Sequence, residues 1–134
     1  MGHRIVRWML DSNVWIEAVA GKPAASNAIL QAATIEWAGF SSITRPEILG
    51  FPKITTNDEA QFLKILKQFH EFPVSSEVID EAIRIRKGFR SRTPDALIAA
   101  SALVAGAELV TRNTADFIHI SGLVVLNPDA LAAR

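Results

Sequence analysis

Cysteine is missing from all 134 residues of the chain. That excludes disulfides and thiolate metal sites, and it suits a reducing cytoplasm. No apolar run approaches the ~20 residues of a membrane-spanning helix. The first run, Ile5 to Leu10, is short, is broken by Arg7, and no cleavage signal follows it. A soluble, cytoplasmic protein without membrane contact is expected. An excess of one charge is also absent, since 14 basic residues balance 14 acidic ones. Long-range attraction to nucleic acid is then weak, so a phosphate-bearing partner needs a local patch or bound metal to hold it. Neutrality lowers colloidal stability too, which favours a homodimer or a tight protein partner. There is no internal repeat, low-complexity tract or interdomain linker. The length suits one domain over residues 1–134, and an apolar content of 49% supplies a core.

What is present is an alternation of short apolar runs with longer helical patterns. Strands are expected at Ile5–Leu10, Trp37–Ser41, Phe72–Val74, Glu108–Val110 and Leu123–Leu126. Pro73 interrupts the third and confines it to a sheet edge. Two short helices are expected over Val14–Ala20 and Ala24–Ala33, split by Gly21-Lys22-Pro23. The segment Asn57–Phe69 carries Phe62, Ile65, Leu66 and Phe69 at i, i+3, i+4, i+7. Ser76–Phe89 opens on acids and closes on Arg84, Arg86 and Lys87, with Arg90 and Arg92 beyond, an order that complements the helix dipole. Thr93-Pro94 opens a further helix with a capping residue and an N1 proline. From Ala96 to Ala107 only Ser101 and Gly106 are not apolar, so this helix is buried. The alternation predicts an α/β fold with a mostly parallel sheet, whose ligands bind outside the carboxyl ends of the strands.

Four acids fall where the chain changes direction: Asp11, Glu47, Asp95 and Asp116. Each has a purely structural explanation. Asp11-Ser12-Asn13 can cap a helix. Thr44-x-x-Glu47 matches a capping box. Asp95 sits in a first helical turn already capped by Thr93, and Asp116 can occupy a short turn after Thr114. Together these explanations weaken. A strand has no reason to end in Asp-Ser-Asn unless that edge is wet or coordinating. Carboxylates gathered at one edge repel unless something positive lies between them. All-oxygen ligation suits Mg²⁺ or Mn²⁺.

These residues carry a resemblance. Met9-Leu10-Asp11-Ser12-Asn13-Val14-Trp15-Ile16 is similar to the first motif of PIN-domain ribonucleases, and most of all of VapC-type toxins from toxin–antitoxin pairs. Ser42-x-Thr44-x-x-Glu47-x-x-Gly50 resembles the second motif, though Pro46 stands where the family favours a helix former. Pro94-Asp95-Ala96-Leu97-Ile98-Ala99-Ala100-Ser101-Ala102 is close to the third. Leu109-Val110-Thr111-Arg112-Asn113-Thr114-Ala115-Asp116-Phe117 is similar to the fourth. The likeness runs from Ile5 to Pro128. It implies a three-layer α/β/α PIN-like fold with a five-stranded sheet. It implies an endoribonuclease that depends on Mg²⁺ and cuts RNA with a metal-activated water, and an antitoxin protein as partner. Asp11, Glu47, Asp95 and Asp116 would be the metal ligands, Asp116 in part through water.

Ser12, Asn13, Thr111 and Asn113 are candidates for orienting those carboxylates, against a plain reading as turn residues. Arg90, Arg92 and Arg112 are candidates for holding the RNA backbone, against a reading as solvated helix-end charges. His3, His70 and His119 lack metal-ligand spacing and read as structural or exposed. Trp8, Trp15 and Trp37 read as core or dimer contacts. A haloacid dehalogenase-type phosphatase also begins strand-Asp, but its chemistry wants a second Asp where Asn13 stands. The other rival is a non-catalytic PIN-like module that grips a protein through Ile48-Leu49-Gly50-Phe51-Pro52.

Overall fold

Strand β1 (Arg7–Leu10) is buried on both of its faces. Trp8 and Leu10 enter one apolar cluster and Met9 enters the other, as the two-residue period of a strand requires. β2 (Trp37–Ser41), β3 (His70–Phe72), β4 (Glu108–Val110) and β5 (Val125–Leu126) complete the sheet. The computed structural model describes residues 5–132. His3 lies outside them. The strand order is β3-β2-β1-β4-β5, and every pairing is parallel. This is the five-stranded α/β sheet that the alternation predicted.

Helices cover both faces. Helices α1 (Ser12–Val19), α2 (Pro23–Ala32), α3 (Thr44–Leu49), α4 (Thr56–Leu66) and α7 (Pro128–Ala132) surround the cluster holding Trp15, Phe40, Phe62 and Leu131. Helices α5 (Ser76–Gly88) and α6 (Thr93–Ala105) pack on the other face with Met9, Ile98 and Leu109. Helix α6 is buried on nearly every side, as its composition requires. Gly106 ends it at φ 66°, a left-handed cap that favours glycine. Trp8 and Trp15 are core residues. The Trp15 indole N–H donates to the Leu10 carbonyl at 3.1 Å, and its ring meets Phe40 and Phe69 edge-on.

Element boundaries differ from expectation where a local feature overrides the pattern. β3 is His70–Phe72 rather than Phe72–Val74, because Pro73 ends the ladder instead of joining it. It is an edge strand, as that proline demands. β5 contracts to Val125–Leu126 and β1 begins at Arg7. The expected capping box at Thr44 does not form. Ile43 is the N-cap of α3, and Thr44 is already helical. Thr93 likewise does not cap α6. Arg92 holds the extended cap position with no side-chain bond, and Pro94 removes one donor that would need a partner.

Gly39 in β2 is required by a close approach. A Cβ there would collide with the His70 carbonyl oxygen of β3 and stand 3.0 Å from the Trp37 ring. Gly39→Ala is expected to push β3 off the sheet edge and cost about 1–3 kcal/mol, the usual range for overpacking. Urea unfolding measures it. An unchanged midpoint would show that β3 yields to a Cβ at position 39 without cost.

Candidate functional site

Parallel order with β4 on the far side of β1 from β2 creates a switch point between β1 and β4. Open α/β sheets bind ligands there. Asp11 follows β1 and Thr111 follows β4, one step beyond the paired Leu10 and Val110. The Asp11 N–H donates to the Val110 carbonyl at 2.9 Å, which extends the ladder and fixes the Asp11 backbone.

The Asp11 carboxyl is nearly enclosed, with 7% of the residue exposed. One oxygen accepts from the Ser12 N–H at 2.7 Å, capping α1. The other accepts from Thr111 Oγ1 at 2.8 Å, with Asn13 Nδ2 at 3.4 Å. Burial pushes the Asp11 pKa up to about 6, against the Thr111 and Ser12 donors, and nearby Glu47 and Asp95 push it the same way. Asp11 thus caps α1 and also lies under the influence of other acids.

Glu47 does not reach back along its own helix. Ser12 Oγ donates to its carboxylate at 2.6 Å, and the Thr44 hydroxyl lies 3.2 Å from Ser12 Oγ. The second motif is thereby tied to the first. Asp95, in the first turn of α6, is also raised. Burial is the main cause and Asp116 adds to it, while Arg92 opposes them. All four acids therefore belong to one electrostatic neighbourhood: Asp11 feels Glu47 and Asp95, and Asp95 feels Asp116. Asp116 itself is exposed on a 3-10 turn, Thr114–Asp116. Among the described residues no three acid or histidine side chains close into a single metal-holding group.

The polar neighbours fall into place around Asp11. Asn13 Nδ2 donates to Thr111 Oγ1 at 3.3 Å, and Asn113 contributes its backbone N–H to the same oxygen at 3.1 Å. Ser41 and Ser101, which carry no sequence signal as ligands or supports, link the end of β2 to α6. Their hydroxyls lie 2.9 Å apart, fully buried. Nothing short of the packing of α6 on β2 signals that pair.

A cleft of about 360 Å³ opens beside Asp95 and Asp116, lined also by Arg90, Ser91, Arg92 and His119. Arg90 and Arg92, just before the third motif, line the same cleft as the two acids. His119 is exposed, as expected, but it shares this cleft, with its ring edge-on to Phe89 at 5.7 Å. Arg112 is placed differently. Its guanidinium is engaged by Glu17 at 2.9 Å and Asp129 at 2.5 Å. Arg84 pairs with Glu81 one turn earlier on α5.

A parallel α/β sheet with acids at its switch point defines a class of proteins that carry their chemistry on that edge. The chain belongs to the PIN domain family, whose model matches residues 8–123. Among solved structures it is similar to a toxin–antitoxin complex from Klebsiella pneumoniae, at 30% identity over 90% of this chain and 96% of that one, with a TM-score of 0.75. It is similar to VapBC2 from Rickettsia felis, solved bound to a promoter DNA fragment. There the identity is 26% over 91% of this chain and 98% of that one, with a TM-score of 0.78. DNA-bound VapBC from Salmonella typhimurium shares the fold, at 22% identity over 92% and 99% of the two chains and a TM-score of 0.79. No curated protein matches. The resemblance to VapC-type toxins is borne out by the family model and these neighbours. No helix among the described residues is long and apolar enough to cross a membrane.

Proposed function

We propose that this chain is an endoribonuclease dependent on Mg²⁺, with Mn²⁺ as the alternative ion, and the toxin of a toxin–antitoxin pair. The observation that carries the proposal is Asp11. A carboxyl is buried at the switch point, is pushed up by two further acids, and still receives the Ser12 and Thr111 donors that favour its charge. A hard cation relieves that conflict. Mg²⁺ keeps several waters and needs only one or two direct carboxylates, so an open arrangement of acids fits it. Asp11 and Asp95 would hold it, with Glu47 and Asp116 completing the set. When bound, such an ion lowers the pKa of a water and offsets charge on phosphoryl oxygens.

The chain's own residues do the rest. Thr111 and Asn13 orient Asp11, while Ser12 holds Glu47 toward the same edge. Arg90 and Arg92 would steady the RNA backbone in the cleft, supplying locally what the neutral whole lacks. Exposed Phe51, beside a groove lined by Ile16, Ile48 and Phe62, supports a protein partner for the neighbouring face. The solved neighbours that carry an antitoxin favour that partner over a solitary nuclease. A homodimer belongs to the same proposal, and sedimentation of the purified chain checks it.

The test uses the whole chain freed of any partner. RNA should be cut with Mg²⁺ and left intact with a chelator. Saturating Mg²⁺ should also raise the melting temperature, by the equivalent of about 2.7 kcal/mol at a hundred times Kd. Cleavage that survives the chelator, or a melting curve blind to Mg²⁺, would sink the metal reading.

A further inference from the structure

We infer that the Glu17–Arg112–Asp129 bridge is a positioning device that fixes the loop after β4 against α1 and α7, and so sets the orientation of Asp11. The inference rests on the metal-site reading above for its consequence, but not for its geometry.

Three elements meet at one planar group. Arg112 forks onto Glu17 of α1, with Nη2 at 2.9 Å and Nε at 3.4 Å from its two carboxylate oxygens. Its remaining amino group, Nη1, donates to Asp129 of α7 at 2.5 Å. A guanidinium satisfied on both sides has little rotational freedom, because its donors are fixed in one plane. The backbone N–H of the same residue donates to Asn13 Oδ1 at 3.2 Å. Asn13 in turn donates to Thr111 and to Asp11, and Thr111 donates to Asp11. Glu17 lies four residues after Asn13, on the same face of α1. One loop residue therefore grips α1 twice, once by backbone and once by side chain.

The far end of the bridge is anchored. The Asp129 N–H donates to Asn127 Oδ1 at 2.8 Å, which caps α7. Leu131 is buried, and its carbonyl accepts from Gln31 of α2 at 2.9 Å. A continuous path of bonds thus runs from a helix near the end of the described chain to the innermost acid. The groups are part-exposed, at 30% for Arg112, 24% for Glu17 and 63% for Asp129. Exposed pairs contribute little to global stability. Their effect belongs to local orientation instead.

The test compares Asp129→Asn, Arg112→Gln and Arg112→Lys with the native chain. Calorimetric Mg²⁺ titration should show binding weakened about tenfold in Arg112→Gln, the size expected for a residue that orients a ligand. Asp129→Asn should weaken it less, and Arg112→Lys should recover part of the loss. RNA turnover should fall in kcat with KM unchanged. If Arg112 instead holds RNA, KM rises and Mg²⁺ affinity stays put, which overturns the proposal. In metal-free protein, nitrogen-15 spectra should show the Asn13 side-chain amide signals shifting in Asp129→Asn. Unmoved Asn13 signals refute the bridge. If the native chain binds no Mg²⁺, the metal reading has failed, and the Asn13 signals alone decide the bridge.

Discussion

Asp95→Asn is expected to lower the RNA cleavage rate by about a thousandfold while the melting temperature stays within a few degrees of the native value. The size follows from the charge being removed. A metal at a phosphoryl centre is worth several kcal/mol of transition-state stabilisation, and each 1.36 kcal/mol is tenfold in rate. The fold should survive because Asp95 is only half-buried and lies in the first turn of α6, where an amide of the same shape fits. Single-turnover cleavage of a short RNA measures the first effect and calorimetric melting the second. A variant that unfolds shows that Asp95 is structural. A variant that folds and still cuts at the native rate shows that Asp95 does not serve the reaction.

Asp11→Asn is expected to make the metal-free protein more stable at pH 7 and less stable at pH 4. The Asp11 carboxyl has an unfolded value near 3.8 and a folded value near 6. Below about 3.8 it is protonated in both states, and its folded environment carries no charge penalty. Between those values the unfolded chain gives up the proton and the folded chain keeps it. Stability is therefore lost as pH rises through about 6, by an order of 3 kcal/mol for the native chain. Asparagine removes that penalty. It also puts an amide N–H₂ where an oxygen accepted from Thr111 and Asn13, which costs about 1 kcal/mol. The net gain near neutrality is about 2 kcal/mol, and it changes sign in acid. Urea midpoints of both chains at the two pH values, without divalent ions, provide the check. A variant less stable than the native chain at pH 7 would refute a strained Asp11. Saturating Mg²⁺ should reverse the order, since only the native chain gains from the ion.

Most of the architecture was legible in the chain because it is locally encoded. The apolar runs at Trp37–Ser41 and Glu108–Val110 became strands with the bounds expected of them. The polar break after Leu10 marked the end of β1, and Pro73 marked the sheet's rim. Local rules failed where a distant partner competed with a near one. Thr44-x-x-Glu47 has the spacing of a capping box, yet the Ser12 hydroxyl, 35 residues away, takes the Glu47 carboxylate. A charge-assisted bond between elements outweighed a local one.

The sequence by itself determined the α/β alternation, the buried α6 and the four acids at strand exits and helix starts, because periodicity and capping act over a few residues. Only the tertiary structure decided how those acids are held and which arginines face them. Arg90 and Arg92 open onto the cleft, while Arg112 is drawn to Glu17 and Asp129, 95 and 17 residues away. Long charged side chains take whatever partner the packed backbones bring within reach, and no local pattern encodes that meeting.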